Sequence, residues 1–119
     1  IIDAILGGYA EELRVPELAA MVGLSPRQLE RRFLKELGRT PKRFILEVRI
    51  GAAEHLLQNT DLAIAQIAMD VGFQTPSHFT DTFKALTGRT PNAARSQQAE
   101  AGTFAETIAP PLDPRREII

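Results

Sequence analysis

The sequence predicts an all-α fold: seven helices forming two helix-turn-helix units joined by a long central helix. Three observations lead there. One segment occurs twice, about 50 residues apart. A Ser or Thr followed by Pro, a helix-start signal, precedes four apolar-periodic stretches. Between the two copies, a single stretch keeps helical periodicity for about 18 residues, long enough for a rod of roughly 25 Å.

The repeat has two offsets. Leu29, Phe33, Gly38 and Pro41 shift by 50 onto Phe79, Phe83, Gly88 and Pro91. Upstream, Leu18, Ala19, Val22 and Gly23 shift by 49 onto Ile67, Ala68, Val71 and Gly72. One residue has therefore entered the second turn, between Gly72 and Phe79. Each copy reads as a short helix, a tight glycine turn and a second helix, the unit whose second helix can enter the major groove of DNA.

Residues 1–10 form the first expected helix, with Ile1, Ile2, Ile5 and Leu6 on one side and Gly7-Gly8 weakening its end. A short helix follows from Pro16 to Met21 or Val22, and Gly23 ends it by taking positive φ. Ser25 caps the third helix and Pro26 opens it; Leu29, Phe33 and Leu37 recur every four residues until Gly38. Thr40-Pro41 opens the long helix, expected to reach Leu57 or Gln58. Phe44, Ile45, Val48, Ala52, Leu56 and Leu57 form one amphipathic stripe on it, with Ile50 and Ala53 beside. After the turn Asn59-Thr60-Asp61, a fifth helix is expected over residues 64–71 and is closed by Gly72. A sixth runs from Thr75-Pro76 to Gly88, and a seventh from Thr90-Pro91 to about Gln98. In domain terms, residues 1–98 are one domain, with the two units at about 15–37 and 63–86. Residues 99–119 are a tail in which Gly102, Pro110, Pro111 and Pro114 interrupt any pattern beyond a short helix near 100–108.

The net charge is −1, which on its own argues against a polyanionic partner. The distribution points the other way. Residues 23–46 carry seven Lys/Arg against two Asp/Glu, and residues 71–98 carry three against one; the segments before, between and after are net negative. Both basic blocks fall on the repeated unit. There is no Cys, which removes disulfides and thiolate metal sites and fits a reducing compartment. Apolar runs are a few residues long, far short of the ~20 a membrane helix needs. The opening Ile1-Ile2-Asp3-Ala4 has no Met and no basic region, so the chain is expected to be a fragment of a longer protein. No paired carboxylates, metal-ligand cluster or phosphate loop stands out, and no cofactor, metal or catalytic residue is expected.

In the first unit the outward face of the second helix carries Arg27, Gln28, Glu30, Arg31 and Lys35. Arg27 and Arg31 are neighbours on one face near the N-terminal end, which is the part of a recognition helix that reads bases. Arginine can donate two hydrogen bonds to guanine, and glutamine can bind adenine. The inward positions of the second unit are Phe79, Phe83 and Leu86; its outward positions include Ser77, His78, Asp81 and Lys84. Ser77 and His78 can exchange hydrogen bonds with base edges. Asp81 can accept from cytosine N4 but repels phosphate.

These residues carry a resemblance. The run from Ile67-Ala68 through Gly72-Phe73, Phe79 and Phe83-Lys84 to Gly88-Arg89-Thr90-Pro91 resembles the DNA-binding domain of the AraC/XylS family of bacterial transcription regulators. Ser25, Leu29, Arg31, Phe33 and Gly38 fit its first half; Arg49, Ala53 and Leu57 fit its connecting helix. The likeness covers about residues 3–98. It implies two recognition helices in adjacent major-groove segments of double-stranded DNA, at promoters or operators. It places base-facing positions on Arg27, Glu30, Arg31, Pro76, Ser77, His78 and Asp81. Two departures matter. Ala63 stands where members commonly have a capping serine, which leaves the fifth helix loosely started or capped by Asp61. Asp81 stands where some members place a basic residue. Phosphate contacts are expected from Lys35, Arg39, Lys84 and Arg89, and from helix-start N–H groups at Ser25 and Thr75. The resemblance also implies RNA polymerase as a partner, a cytoplasmic and nucleoid-associated location, and an absent N-terminal domain through which a full-length protein dimerises while this fragment is monomeric. The rival from another class is a helical protein-docking module, which the net charge would suit.

Overall fold

Among the described residues, four of the seven helices begin the same way, because one sequence device starts them. In a computed structural model, which describes residues 1–96, the order is α1 (Ile2–Gly8), α2 (Val15–Met21), α3 (Pro26–Leu37), α4 (Pro41–Asn59), α5 (Ile64–Asp70), α6 (Pro76–Thr87) and α7 (Pro91–Ser96). The hydroxyls of Ser25 and Thr40 accept the backbone N–H of Gln28 and Arg43, each at 3.2 Å. Those of Thr75 and Thr90 accept from His78 and Ala93, each at 3.1 Å. Each satisfies one orphan donor of the first turn, and the proline behind it has no N–H to satisfy.

The two turns are built alike. Gly23 (φ 70°) donates its N–H to Ala20 O at 3.2 Å, and Leu24 donates to Ala19 O at 2.9 Å. Gly72 (φ 106°) and Phe73 repeat this onto Met69 O at 3.1 Å and Ala68 O at 2.9 Å. This crossed pair of bonds closes a helix through a left-handed residue, which glycine adopts without steric cost. Four residues separate α2 from α3 and five separate α5 from α6, so the inserted residue is Gln74.

Packing produces two cores. The first joins Ile5 of α1, Leu18 and Ala19 of α2, Leu29 and Phe33 of α3, and Phe44 and Ile45 of α4. The second joins Ile50, Ala53 and Leu57 of α4, Ile67 and Ala68 of α5, Val71 and Phe73 of the turn, Phe79 and Phe83 of α6, and Ala94 of α7. The start of α4 therefore closes the first unit, while its later turns open the second. In that role they stand where α1 stands in the first unit.

Three expectations change. α4 does not carry one amphipathic stripe. Buried Phe44 and Ile45, with Val48 beside them, face the first core, whereas buried Ile50, Ala53 and Leu57 face the second, with Leu46, Ala52 and Leu56 packed around them. At 100° per residue the buried residues of the two sets centre roughly 160° apart, so opposite sides of the rod are buried. α2 begins at Val15, because extended Arg14 is its N-cap; Pro16 sits one place further in, where a missing N–H is still harmless. α5 has no side-chain cap, so of its two expected starts the loose one holds and the Asp61 cap does not; burial of Ile67 and Ala68 steadies the helix. α1 is seven residues long and ends at Gly8. The expected helix near 100–108 and the rest of the tail lie outside the described residues.

Core and caps should rank differently in urea denaturation. Phe83→Ala empties a fully buried site and should cost ~3–5 kcal/mol. Thr40→Ala removes a single cap and should cost ~1 kcal/mol. Equal losses would mean that the second core is far looser than its burial implies.

Candidate nucleic-acid interface

α3 buries Leu29 and Phe33 completely and turns Arg27, Arg31 and Lys35 to solvent. The three cations are four residues apart, so they form one stripe along the exposed side. Glu30 is exposed beside them. Gln28 is also exposed, but its side-chain oxygen accepts the backbone N–H of Ser25 at 2.8 Å while Ser25 Oγ accepts the N–H of Gln28. This reciprocal capping box occupies both groups expected to meet DNA there: the Ser25 N–H is not presented to a phosphate, and Gln28 is folded back onto the helix start.

α6 buries Phe79 and Phe83 and exposes Ser77, His78, Asp81 and Lys84. The His78 ring stands edge-on to Phe73, with centroids 5.2 Å apart, so it is oriented by the aromatic residue of the turn. Thr75 is exposed at the helix start and holds the His78 N–H.

Arg39 and Arg89 have other partners. Arg39 Nε lies 3.3 Å from Glu47 Oε1, which Arg43 Nε also contacts at 3.1 Å. Arg89 Nη2 lies 3.7 Å from Glu54 Oε2. Both carboxylates are buried, and both belong to α4. They are seven residues apart, two turns along one side of the rod, or about 10 Å. Each arginine follows the glycine that ends a recognition helix, so the C-terminal ends of α3 and α6 are anchored to the same side of α4. Arg39 Nη1 is itself buried without a hydrogen-bond partner, so that end of the guanidinium does not face solvent. The two arginines expected on phosphate are thus engaged with the scaffold.

Lys42 was not among the expected site residues. It is exposed at the start of α4 within the first basic block. It lies outside the recognition helices, and only its place among the seven Lys/Arg of residues 23–46 marks it in the sequence. Gln74 is likewise exposed, at the tip of the longer turn. Among the described residues, no cluster of His, Cys, Asp or Glu could hold a metal, and no helix is long and apolar enough to cross a membrane.

A family model described as a helix-turn-helix domain matches residues 18–97. The chain belongs to the AraC family of helix-turn-helix domains. A transcriptional regulator of AraC type from Chromobacterium violaceum superposes with a TM-score of 0.78 at 37% identity, over 85% of this chain and 90% of that one. The DNA-binding domain of AdpA, in complex with a target DNA, superposes with a TM-score of 0.75 at 28% identity, over 80% and 86%. In sequence, the HTH-type transcriptional regulator ArgR of Pseudomonas aeruginosa is 36% identical over 84% of this chain and 30% of its own length. The chain spans between about a quarter and a third of the length of the curated relatives it matches. Those relatives carry the names of transcription regulators.

In this AraC-type domain the buried carboxylates are the anchors of the reading helices. Glu47→Gln and Glu54→Gln should each lower stability by ~1–3 kcal/mol in urea melts, because the half-buried Arg39 and Arg89 keep their charge and lose the carboxylate that faces them. Losses below ~0.5 kcal/mol for both, the range of surface pairs, would mean that they anchor nothing.

Proposed function

We propose that this chain binds double-stranded DNA sequence-specifically, as the DNA-binding part of a bacterial transcription regulator. One observation carries the reading. Twice in the chain, a helix of matching length seals its apolar face into a core and offers a polar face at its N-terminal end, and both are tied to one rod. A helix so held can enter a major groove end-first. The likeness to a DNA-binding domain that is itself bound to target DNA supports it.

Centres of the two helices about 34 Å apart would suit successive major-groove segments on one side of a duplex. The described residues extend 43 Å along their longest axis, which leaves room for that span. In the first unit Arg31 and Arg27 read guanine, with Glu30 available to a cytosine amino group. Gln28 reaches a base only by giving up its bond to Ser25, so its share is smaller. In the second unit Ser77 and His78 meet base edges, and Asp81 accepts from cytosine N4 while discouraging close phosphate approach. Lys35, Lys42 and Lys84 are the phosphate contacts, helped by the hydroxyls of Ser25 and Thr75. Arg39 and Arg89 contribute field rather than contact, since Glu47 and Glu54 hold them.

Residues 1–98 form the binding domain in this reading. The whole protein works in the cytoplasm at the nucleoid, dimerises through a domain outside this chain, and meets RNA polymerase at promoters; this fragment alone binds as a monomer.

Selection of bound duplexes from a random pool tests the reading directly, and should return a site with two half-sites. On that site, Arg31→Ala should lose ~1–3 kcal/mol and relax one base position, read by fluorescence anisotropy against specific and random duplex. Lys84→Ala should weaken binding to all sequences alike and reduce the salt slope by about 1. Binding that ignores both sequence and salt would instead favour a protein-docking module.

A further inference from the structure

The connection between α1 and α2 touches both units. Leu13 packs against the first core, while Tyr9 packs against the second. Arg49, from the middle of α4, fastens it. Its Nε donates to Tyr9 O at 2.6 Å and its Nη2 to Glu11 O at 2.9 Å, while the guanidinium lies over the Phe73 ring at 5.9 Å. Gly72 completes the contact by being small. A Cβ there would stand 2.8 Å from Tyr9 O, 2.9 Å from Arg49 Nε and 3.1 Å from Ala10 Cα. Gly23, its counterpart in the first turn, has nothing within 4 Å of the same position. The turn of the second unit therefore sits directly against the loop of the first. A cavity of about 450 Å³ opens beside this contact and reaches Gln74 and His78, so the contact adjoins the start of α6.

The geometry points to Arg49 as a positioning residue that sets the half-site spacing this chain reads. The inference rests on the two-site reading above. α4 fixes the distance between the units along its axis, but a single helix leaves their relative rotation about that axis to the contacts at its sides. A bidentate arginine, bonded to two carbonyls 38 and 40 residues away in sequence and stacked on the second turn, is a side contact of that kind. Its planar fork holds both carbonyls at once, which a lysine ammonium does not. The duplex spacing that lets both helices bind together then follows from the latched rotation, because a second site adds affinity only when geometry lets it be reached.

The test is a series of duplexes that carry the selected half-sites with the spacer changed by −2 to +2 base pairs. The parent chain should show one optimum and lose ~10-fold at ±2 base pairs, as one-turn registry demands. Arg49→Met should lower affinity at the optimum and flatten the profile to ~3-fold or less, while binding an isolated first half-site within ~2-fold of the parent. Arg49→Lys keeps the charge but replaces the planar fork by a single ammonium nitrogen, so its profile should fall between the two and supplies the reading if the Met variant does not fold. Gly72→Ala should flatten the profile as well. Gly23→Ala imposes a left-handed strain of the same kind without the contact, and should lose stability but keep the optimum. A folded Arg49 variant with the parent's sharp profile overturns the inference alone. A parent that is indifferent to spacing overturns the two-site reading, and the inference with it.

Discussion

The structure depends on one helix burying two opposite sides. α4 cannot belong to either unit alone: Phe44 and Ile45 complete the first core, and Ile50, Ala53 and Leu57 begin the second. A rod sealed on both sides has little freedom to bend or slide, because each core is close-packed and resists displacement. Two small units, each too slight to bury much surface by itself, gain stability from the shared element. The same sharing makes their separation a property of helix length.

Electrostatics follows from that architecture. Between its two apolar sides, α4 carries Glu47 and Glu54, nearly out of reach of water. Buried carboxylates need counter-charges, and the arginines behind Gly38 and Gly88 provide them. At the far end Arg95 performs a related task on backbone. Its guanidinium donates to Leu57 O and Thr60 O, each at 3.3 Å, and to Leu62 O at 2.7 Å, which closes the C-terminus of the rod and ties α7 to it. Burial lowers the pKa of Arg49 below the ordinary arginine value, yet such a group keeps its charge at any working pH. Much of the basic excess near the reading helices is therefore structural, and the cations left for a polyanion are mainly the exposed lysines together with Arg27 and Arg31.

The two units differ where their tasks differ. The first presents three cations in a line on α3. The second has Ser77, Asp81 and Ala85 at the matching positions, and lengthens its turn by Gln74. In that turn Phe73 stands beside His78 and Gly72 sits against the neighbouring loop. The second unit is thus more tightly built into the body of the molecule, and the first is the more strongly charged reader.

Much of this was legible in the residue order. The four capped starts, the glycine-closed turns, the extra residue in the second turn and the inward positions Leu29, Phe33, Phe79 and Phe83 all follow from interactions spanning five residues or fewer, which local chemistry dictates before anything packs. The outward candidates on α3 and α6 could be named for the same reason. What the order could not reveal joins residues far apart. The two-sided burial of α4, the capture of Arg39 and Arg89 by buried glutamates, and the hold of Arg49 on a loop 38 to 40 residues earlier were decided only by tertiary structure. A periodic pattern shows that a residue is apolar or charged on a given face, but its partner is chosen by which surfaces meet once the chain has folded.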